Sequence, residues 1–337
     1  VKKIILALIG LALIACNRND TSDQNAAATT ATTGNPALDN LSAQILRDSL
    51  NAELYAQRAA LYYENDGYDF AIRDLQKALL LDSVKAEYHH LLADVYLDYF
   101  QSRLALKTME RAALLHPERI PTLLKLSEVQ YILKQYENSM KTIDRILKID
   151  PQTADAFFMF GMNFKELGDT VRSINSFQSA VELDPEMTDA WINLGQLHAA
   201  IKSKMAGRFF DNAIRVDPKN PVALHAKAEY LTAKDDLNGA IALYKEINTA
   251  DPQYEDGYFN AGLLYMELDS FNQAYQQFDL ALKVSPTYIK AYAFRAVAAE
   301  NLGKFNQAKS DYEQALRMAP DYELAKEGLA RVGGKVQ

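Results

Sequence analysis

Side chains able to do acid–base, nucleophilic or metal chemistry are few in this 337-residue chain, and their spacing does not assemble a reactive centre. Five histidines occur, His89, His90, His116, His198 and His225. A zinc site on a helix needs two histidines four residues apart with a glutamate between them, or a comparable ligand spacing, and none of the five belongs to such a set. No glycine-rich phosphate loop is present, and no Gly-x-Ser-x-Gly turn holds a serine for attack. Carboxylates are abundant, but the pattern places them on solvated helix faces and no pair stands out. Cys16 is the single cysteine, which excludes an internal disulfide and a cysteine metal site. The expectation is a chain with no catalytic residue, no metal and no cofactor. A net charge of −8 also argues against nucleic acid, because phosphate recognition needs clustered Lys and Arg.

The elements that would carry any site are set by a repeat. Pro117, Pro151, Pro185, Pro218, Pro252, Pro286 and Pro320 are separated by 34, 34, 33, 34, 34 and 34 residues. A fixed period of this length marks a solenoid of two-helix units. Counting back from each proline, one position is always small: Ala71, Ala105, Ser139, Ser173, Ala206, Ala240, Ala274 and Ala308. A second small position falls in the first helix of each unit, at Ala59, Ala93, Ser127, Gly161, Gly195, Ala228, Gly262 and Ala296. Small residues let two helix axes approach closely while larger neighbours lock around the crossing. The large partners are Leu75, Met109, Ile143, Phe177, Phe210, Tyr244, Phe278 and Tyr312. His89 and His198 fall where other units place large packing residues, so both read as core or boundary histidines.

Trp191-x-x-Leu194-Gly195, Ala274-x-x-x-Phe278 and Pro286 closely resemble the tetratricopeptide repeat, and Asn301-Leu302-Gly303-Lys304-Phe305 is similar to its inter-helix turn. The resemblance runs over eight units and implies an all-α, right-handed superhelical solenoid of about eight helix-turn-helix repeats with end-capping helices. The expected organisation is an N-terminal half-repeat or cap over 37–51, eight repeats over 52–320, and a capping helix with a tail over 321–337. In that last helix Leu324, Leu329 and Val332 face the final repeat, while Glu323, Lys326, Glu327 and Arg331 meet water. Two units depart from the pattern. The third has Gln130 where an aromatic is usual and Ile146 where alanine is usual, which predicts looser or re-angled packing. The fifth is one residue short, in the turn around 201–205. Each departure reads as a hinge, a landing site or harmless drift.

The first 36 residues have a different character. Lys2 and Lys3 precede a 12-residue apolar run, Ile4 to Ala15, broken only by Gly10. A membrane-spanning helix needs about 20 residues, so the run has the length of a secretory signal core. It ends in Leu13-Ile14-Ala15-Cys16, which resembles the lipobox of bacterial lipoproteins. That resemblance implies a signal peptide over 1–15, cleavage before Cys16 and acylation of Cys16, and it makes the membrane a partner through lipid. Residues 16–36 are rich in Asn, Thr, Ala, Ser and Asp and read as a disordered tether. Val1 in place of Met fits an alternative start codon. In enterobacterial-type lipoproteins an Asp after the Cys retains the protein in the inner membrane. Asn17 here favours the outer membrane, with the folded part facing the periplasm.

In the tetratricopeptide-repeat fold the first helices line the inner face, and two rows of this sequence fall there. One row includes His90, Leu124, Phe158, Ile192, His225 and Phe259. The other includes Asp94, Glu128, Met162, Gln196, Glu229 and Leu263, with Met266 beside it. The groove is therefore expected to be apolar in patches and acidic between them, suited to a protein or peptide ligand with apolar anchors and some positive charge. His90 and His225 would make that binding sensitive to pH. Chaperone-binding relatives use Lys and Asn in these two rows to clamp a C-terminal carboxylate. This chain has neither there, so that activity is not implied. The leading expectation is an envelope-anchored scaffold or adaptor for envelope assembly, secretion or cell-wall processes. The alternative is a self-associating structural lipoprotein whose apolar face serves oligomerisation.

Overall fold

A computed structural model describes residues 34–334. The signal peptide, Cys16 and most of the tether expected from the sequence lie outside the described residues. Eighteen helices follow one another in the described residues, with no strand among them. Contacts divide the chain into two units, the second beginning at Val84. The first contains α1 (Pro36–Arg47), α2 (Ala52–Glu64) and α3 (Tyr68–Leu81). The second contains α4 (Ala86–Asp98), α5 (Ser102–Leu115), α6 (Ile120–Ile132), α7 (Tyr136–Ile149), α8 (Ala154–Glu166), α9 (Thr170–Leu183), α10 (Thr188–Ala200) and α11 (Ala206–Val216). It continues with α12 (Pro221–Thr232), α13 (Leu237–Ala250), α14 (Glu255–Glu267), α15 (Phe271–Val284), α16 (Ile289–Asn301), α17 (Phe305–Met318) and α18 (Glu323–Gly333).

Local chemistry starts and stops these helices. Asn35 caps α1 by accepting from the Ala37 and Leu38 amides, and Pro36 follows at the position where a missing N–H costs nothing. Asn220 and Pro221 repeat the device at α12. Between the two helices of each pair one residue takes the left-handed conformation: Asp66, Phe100, Lys134, Gly168, Lys202, Asp235, Asp269 and Gly303, with φ from 51° to 75°. These positions share the repeat spacing, so the turn is the same turn eight times.

Packing within each pair follows the small-residue slots. All sixteen slot residues are fully buried or, where they are Gly161, Gly195 and Gly262, closed by an aromatic ring. A Cβ on Gly161 would stand 2.6 Å from the Phe177 ring, on Gly195 2.5 Å from Phe210, and on Gly262 2.6 Å from Phe278. Glycine in the first helix is thus paired with phenylalanine in the second. Where the slot is Ala or Ser, the opposing residue is Leu75, Met109, Ile143, Tyr244 or Tyr312. Serine at the second-helix slot is satisfied by the backbone it crosses: Ser139 Oγ donates to Ser127 O at 2.9 Å and Ser173 Oγ to Gly161 O at 2.8 Å.

In the first unit α1 packs on α2 through Leu38 and Ile45, and Arg58 joins all three helices. Its Nε lies 2.6 Å from Asp74 Oδ2 and its Nη1 donates to Ser42 Oγ at 2.9 Å. At the end of the second unit α18 buries Ala325, Gly328 and Val332, with Leu324 and Leu329 packed at the margin, and Arg331 pairs with Glu300. The third repeat is filled, contrary to the looser packing expected of it. Gln130 is buried and its Oε1 accepts from Thr142 Oγ1 at 2.8 Å, a hydrogen bond in place of aromatic packing, while Ile146 is completely enclosed. The fifth repeat does change shape. Its second helix, α11, has 11 residues where α9 and α13 have 14, because one residue is missing and residues 204–205 run as a turn.

Gly262→Val tests the ring-over-glycine contact. The added side chain must displace the Phe278 ring, and overpacking of this kind costs about 1–3 kcal/mol. Urea unfolding should show a lowered midpoint, whereas Gly334→Ala, with open space around it, should show none.

Candidate binding groove on the first helices

The inward rows read from the sequence fall on α4, α6, α8, α10, α12 and α14 of the second unit. Eleven of the thirteen residues keep a surface: His90, Asp94, Leu124, Glu128, Phe158, Met162, Gln196, His225, Glu229, Leu263 and Met266 are half-buried or exposed. Ile192 and Phe259 do not, and their assignment to the groove is corrected. Ile192 is 4% exposed in a cluster with Phe210, Ala223 and Ala226. Small alanines on α12 let that helix close over it. Phe259 is 7% exposed, with its ring 5.0 Å from Tyr288, 5.6 Å from Phe278 and 5.6 Å from Phe294 between centroids. Its own pair partner and the next first helix enclose it, so it is core. Phe158 has a mixed role: it packs on Phe177 at 5.5 Å yet still lines open space.

Five of the predicted residues meet in one open recess of about 600 Å³. His90 and Asp94 come from α4, Leu124 and Glu128 from α6, and Phe158 from α8. Lys125 and Asp155 complete its charged lining. Lys125 Nζ lies 2.5 Å from Asp94 Oδ1 and 3.1 Å from Glu128 Oε2. Burial pulls the Lys125 ammonium down, but the bond to Asp94 and the neighbouring carboxylates outweigh burial and hold it above the ordinary lysine value. His90 is pushed below its ordinary value, by burial first and then by the Arg119 guanidinium, and its Nε2 is 3.0 Å from Thr122 Oγ1. It is therefore neutral at pH 7. Three carboxylates face one ammonium across a floor of Leu124 and Phe158, and among the described residues Asp155 has no basic group within ion-pair distance. Such a recess accepts a cation with an aliphatic stem.

Two smaller hollows, each of about 430 Å³, continue along the same helices. The first lies between α10 and α12 and includes Gln196 and Glu229. The second lies between α12 and α14 and includes Glu229, Leu263 and Glu267. Glu229 therefore borders both, with its Oε1 3.4 Å from His225 Nε2. Between the recess and the first hollow stands Lys165, whose Nζ donates to Asn193 Oδ1 at 2.7 Å and Gln196 Oε1 at 3.3 Å. Burial lowers its pKa, with Glu166 opposing. Lys125, Asp155 and Lys165 were not picked out by the inward rows. Lys125 and Asp155 lie to the side of those rows. Lys165 occupies the slot of Tyr131 and Met266, so the repeat register alone could have found it.

The other histidines are held by neighbouring rings or backbone. His89 is 2% exposed. The His198 ring lies 4.6 Å from that of Phe209 and His225 meets Tyr244 edge-on at 5.4 Å. His116 Nε2 is 2.6 Å from Val84 O. Among the described residues no group of three His, Cys, Asp or Glu is placed to hold a metal ion, and no helix is long and apolar enough to cross a membrane.

Comparison with known proteins bears on the repeats themselves. A tetratricopeptide-repeat family model matches residues 120–153, 255–288 and 289–322, and a second model of the same repeat matches 158–204. A curated relative, Cell division cycle protein 27 homolog A of Arabidopsis thaliana, is 29% identical over 106 residues, which is 30% of this chain and 15% of that protein. Among solved structures, the APC/C hetero-tetramer Cut9–Hcn1 is similar with a TM-score of 0.50 and 16% identity, over 88% of this chain and 58% of that one. YrrB, described as a TPR protein with an unusual peptide-binding site, is 26% identical with a TM-score of 0.41, over 56% of this chain and 98% of that one. The chain thus carries tetratricopeptide repeats in a solenoid fold, a scaffold suited to protein–protein interaction.

The depressed His90 pKa has a consequence for stability. At pH values between its folded value and its ordinary value near 6.5, the unfolded chain binds more protons than the folded one. The stability it contributes is therefore complete above about pH 6.5 and lost as pH falls through the folded pKa. Melting temperature measured from pH 7.5 to 5 should fall, and His90→Asn should flatten that fall.

Proposed function

We propose that this chain is an envelope-anchored adaptor whose first-helix groove holds a segment of a partner protein carrying a basic side chain next to apolar anchors. The observation that carries this reading is the recess on α4, α6 and α8, where Asp94, Glu128 and Asp155 oppose only Lys125 above Leu124 and Phe158. A partner Lys or Arg laid along Phe158 would gain cation–π attraction and meet the unpaired Asp155 carboxylate. Apolar neighbours of that residue would cover Met162 and Leu263 further along. A −8 chain speeds encounter with a basic partner and repels an acidic one.

The anchoring half of the proposal rests on the sequence of residues 1–16. Acylated Cys16 and the tether that follows would hold the repeats at a membrane, on the periplasmic side of the outer membrane, and leave them free to reorient. The work of such a protein is to raise the local concentration of its partner at that surface. Envelope assembly, secretion and cell-wall processes all have that requirement.

Two measurements test the two halves. Glu128→Lys combined with Asp155→Lys reverses the charge of the recess at surface positions. It should weaken capture of a basic partner segment at least tenfold, about 1.4 kcal/mol, while the helical circular dichroism is unchanged. Unaltered binding would remove the recess from the site. For the anchor, Cys16→Ala should move the protein from the membrane fraction to the soluble fraction on cell fractionation. Retention in the membrane would mean that lipid on Cys16 is not what holds it.

A further inference from the structure

We infer that the hollow beside the shortened fifth repeat is a second subsite, one that takes an apolar side chain neighbouring a carboxylate of the same partner segment. This rests on the groove reading above and adds a charge order to it. The fifth repeat lacks one residue, and α11 begins only at Ala206, with residues 204–205 in a turn before it. Beside that turn α10 and α12 enclose a hollow of about 430 Å³ floored by Phe210, Ala226 and Tyr230. Lys202 and Lys234 stand on its rim. Neither has a carboxylate within ion-pair distance among the described residues. Lys202 is held in the left-handed turn at φ 55°, and Lys234 Nζ lies 5.9 Å from the Tyr230 ring centroid.

Lys165 adds a third positive charge through Gln196, which it contacts at 3.3 Å and which lines the hollow. Its hydrogen-bond partners are amide oxygens, and Glu166 is the carboxylate that acts on its charge. Glu229 is the one carboxylate among the lining residues, and it lies toward His225 on its own helix. The local balance is therefore positive in a chain that is acidic as a whole. An apolar knob alone would fill the floor but leave the lysines without a counter-charge. A carboxylate beside the knob supplies it, in a site where partial exclusion of water strengthens the attraction.

The recess on α4, α6 and α8 asks for the opposite charge. Neighbouring first helices lie ~10 Å apart, so the two subsites are separated by roughly 20–30 Å, about six to nine residues of extended chain. The partner segment is thus bipolar: Lys or Arg at one end, and Asp or Glu next to a large apolar residue at the other. A uniformly basic peptide fits only half of the groove.

Selection from a phage-displayed library of random peptides of about twelve residues, ~40 Å when extended, against residues 34–337 and the full chain, tests this. The wild-type protein should enrich a consensus with a basic position and, about six to nine residues away, an acidic position beside Leu, Ile or Phe. Lys202→Glu with Lys234→Glu should abolish the acidic preference and keep the basic one, and Glu128→Lys with Asp155→Lys should do the reverse. An acidic position that persists in the Lys202→Glu, Lys234→Glu protein overturns the inference, as does a wild-type consensus with basic and apolar positions only. The latter result would leave the groove reading intact. No enrichment by the wild-type protein would overturn both.

Discussion

Every helix pair depends on the close crossing of two helices at a pair of small residues. The ring of Phe177, Phe210 or Phe278 lies where the Cβ of Gly161, Gly195 or Gly262 would be, and it leaves no space for one. The crossing fixes the distance between the two helices of a pair, and the left-handed residue in the connecting turn fixes their direction. Within the second unit each pair then stacks on the last. The first helices of that unit fall side by side, and their inward rows form the recess and the two hollows without any residue having been chosen for the purpose. The groove is a by-product of packing, and its specificity lies in what those positions carry.

This division explains what could be read from the sequence. The small slots, the large partners and the prolines recur at a fixed spacing, so their burial followed from counting. The same counting located Asp94, Leu124, Glu128 and Phe158, and the structure brings them together in one recess. It failed at Ile192 and Phe259 because burial there is decided by the neighbouring helix: Ala226 lets α12 close over one, and Tyr288 and Phe294 cover the other. Register says which way a side chain points, and only the neighbour's side-chain size says whether water reaches it. Lys125 and Asp155 escaped for a related reason. They stand beside the inward rows and reach the recess by the length or position of their side chains, which a strict period does not encode.

The departures from the repeat also separate into two kinds. Gln130 breaks the pattern chemically and the structure answers it with a hydrogen bond from Thr142 inside a buried contact. The residue missing from the fifth repeat breaks the pattern geometrically, and no side chain can repair an absent turn of helix. Beside it lies a hollow edged by lysines in a chain that is acidic as a whole. Electrostatically the groove is thus ordered rather than uniform, negative over α4 to α8 and positive where α10 meets α12. An ordered groove holds a partner in one direction and one register, which a uniformly apolar groove does not.

The most direct test of this account is site-specific photocrosslinking in the native cell from two sets of positions. Glu128, Gln196 and Glu229 lie on the first helices, while Lys141, Gln178 and Lys245 lie exposed on the second helices. The account predicts adducts with a different protein from the first set and none from the second. Adducts confined to the second set, or adducts of twice the chain's own mass from the first, would contradict it.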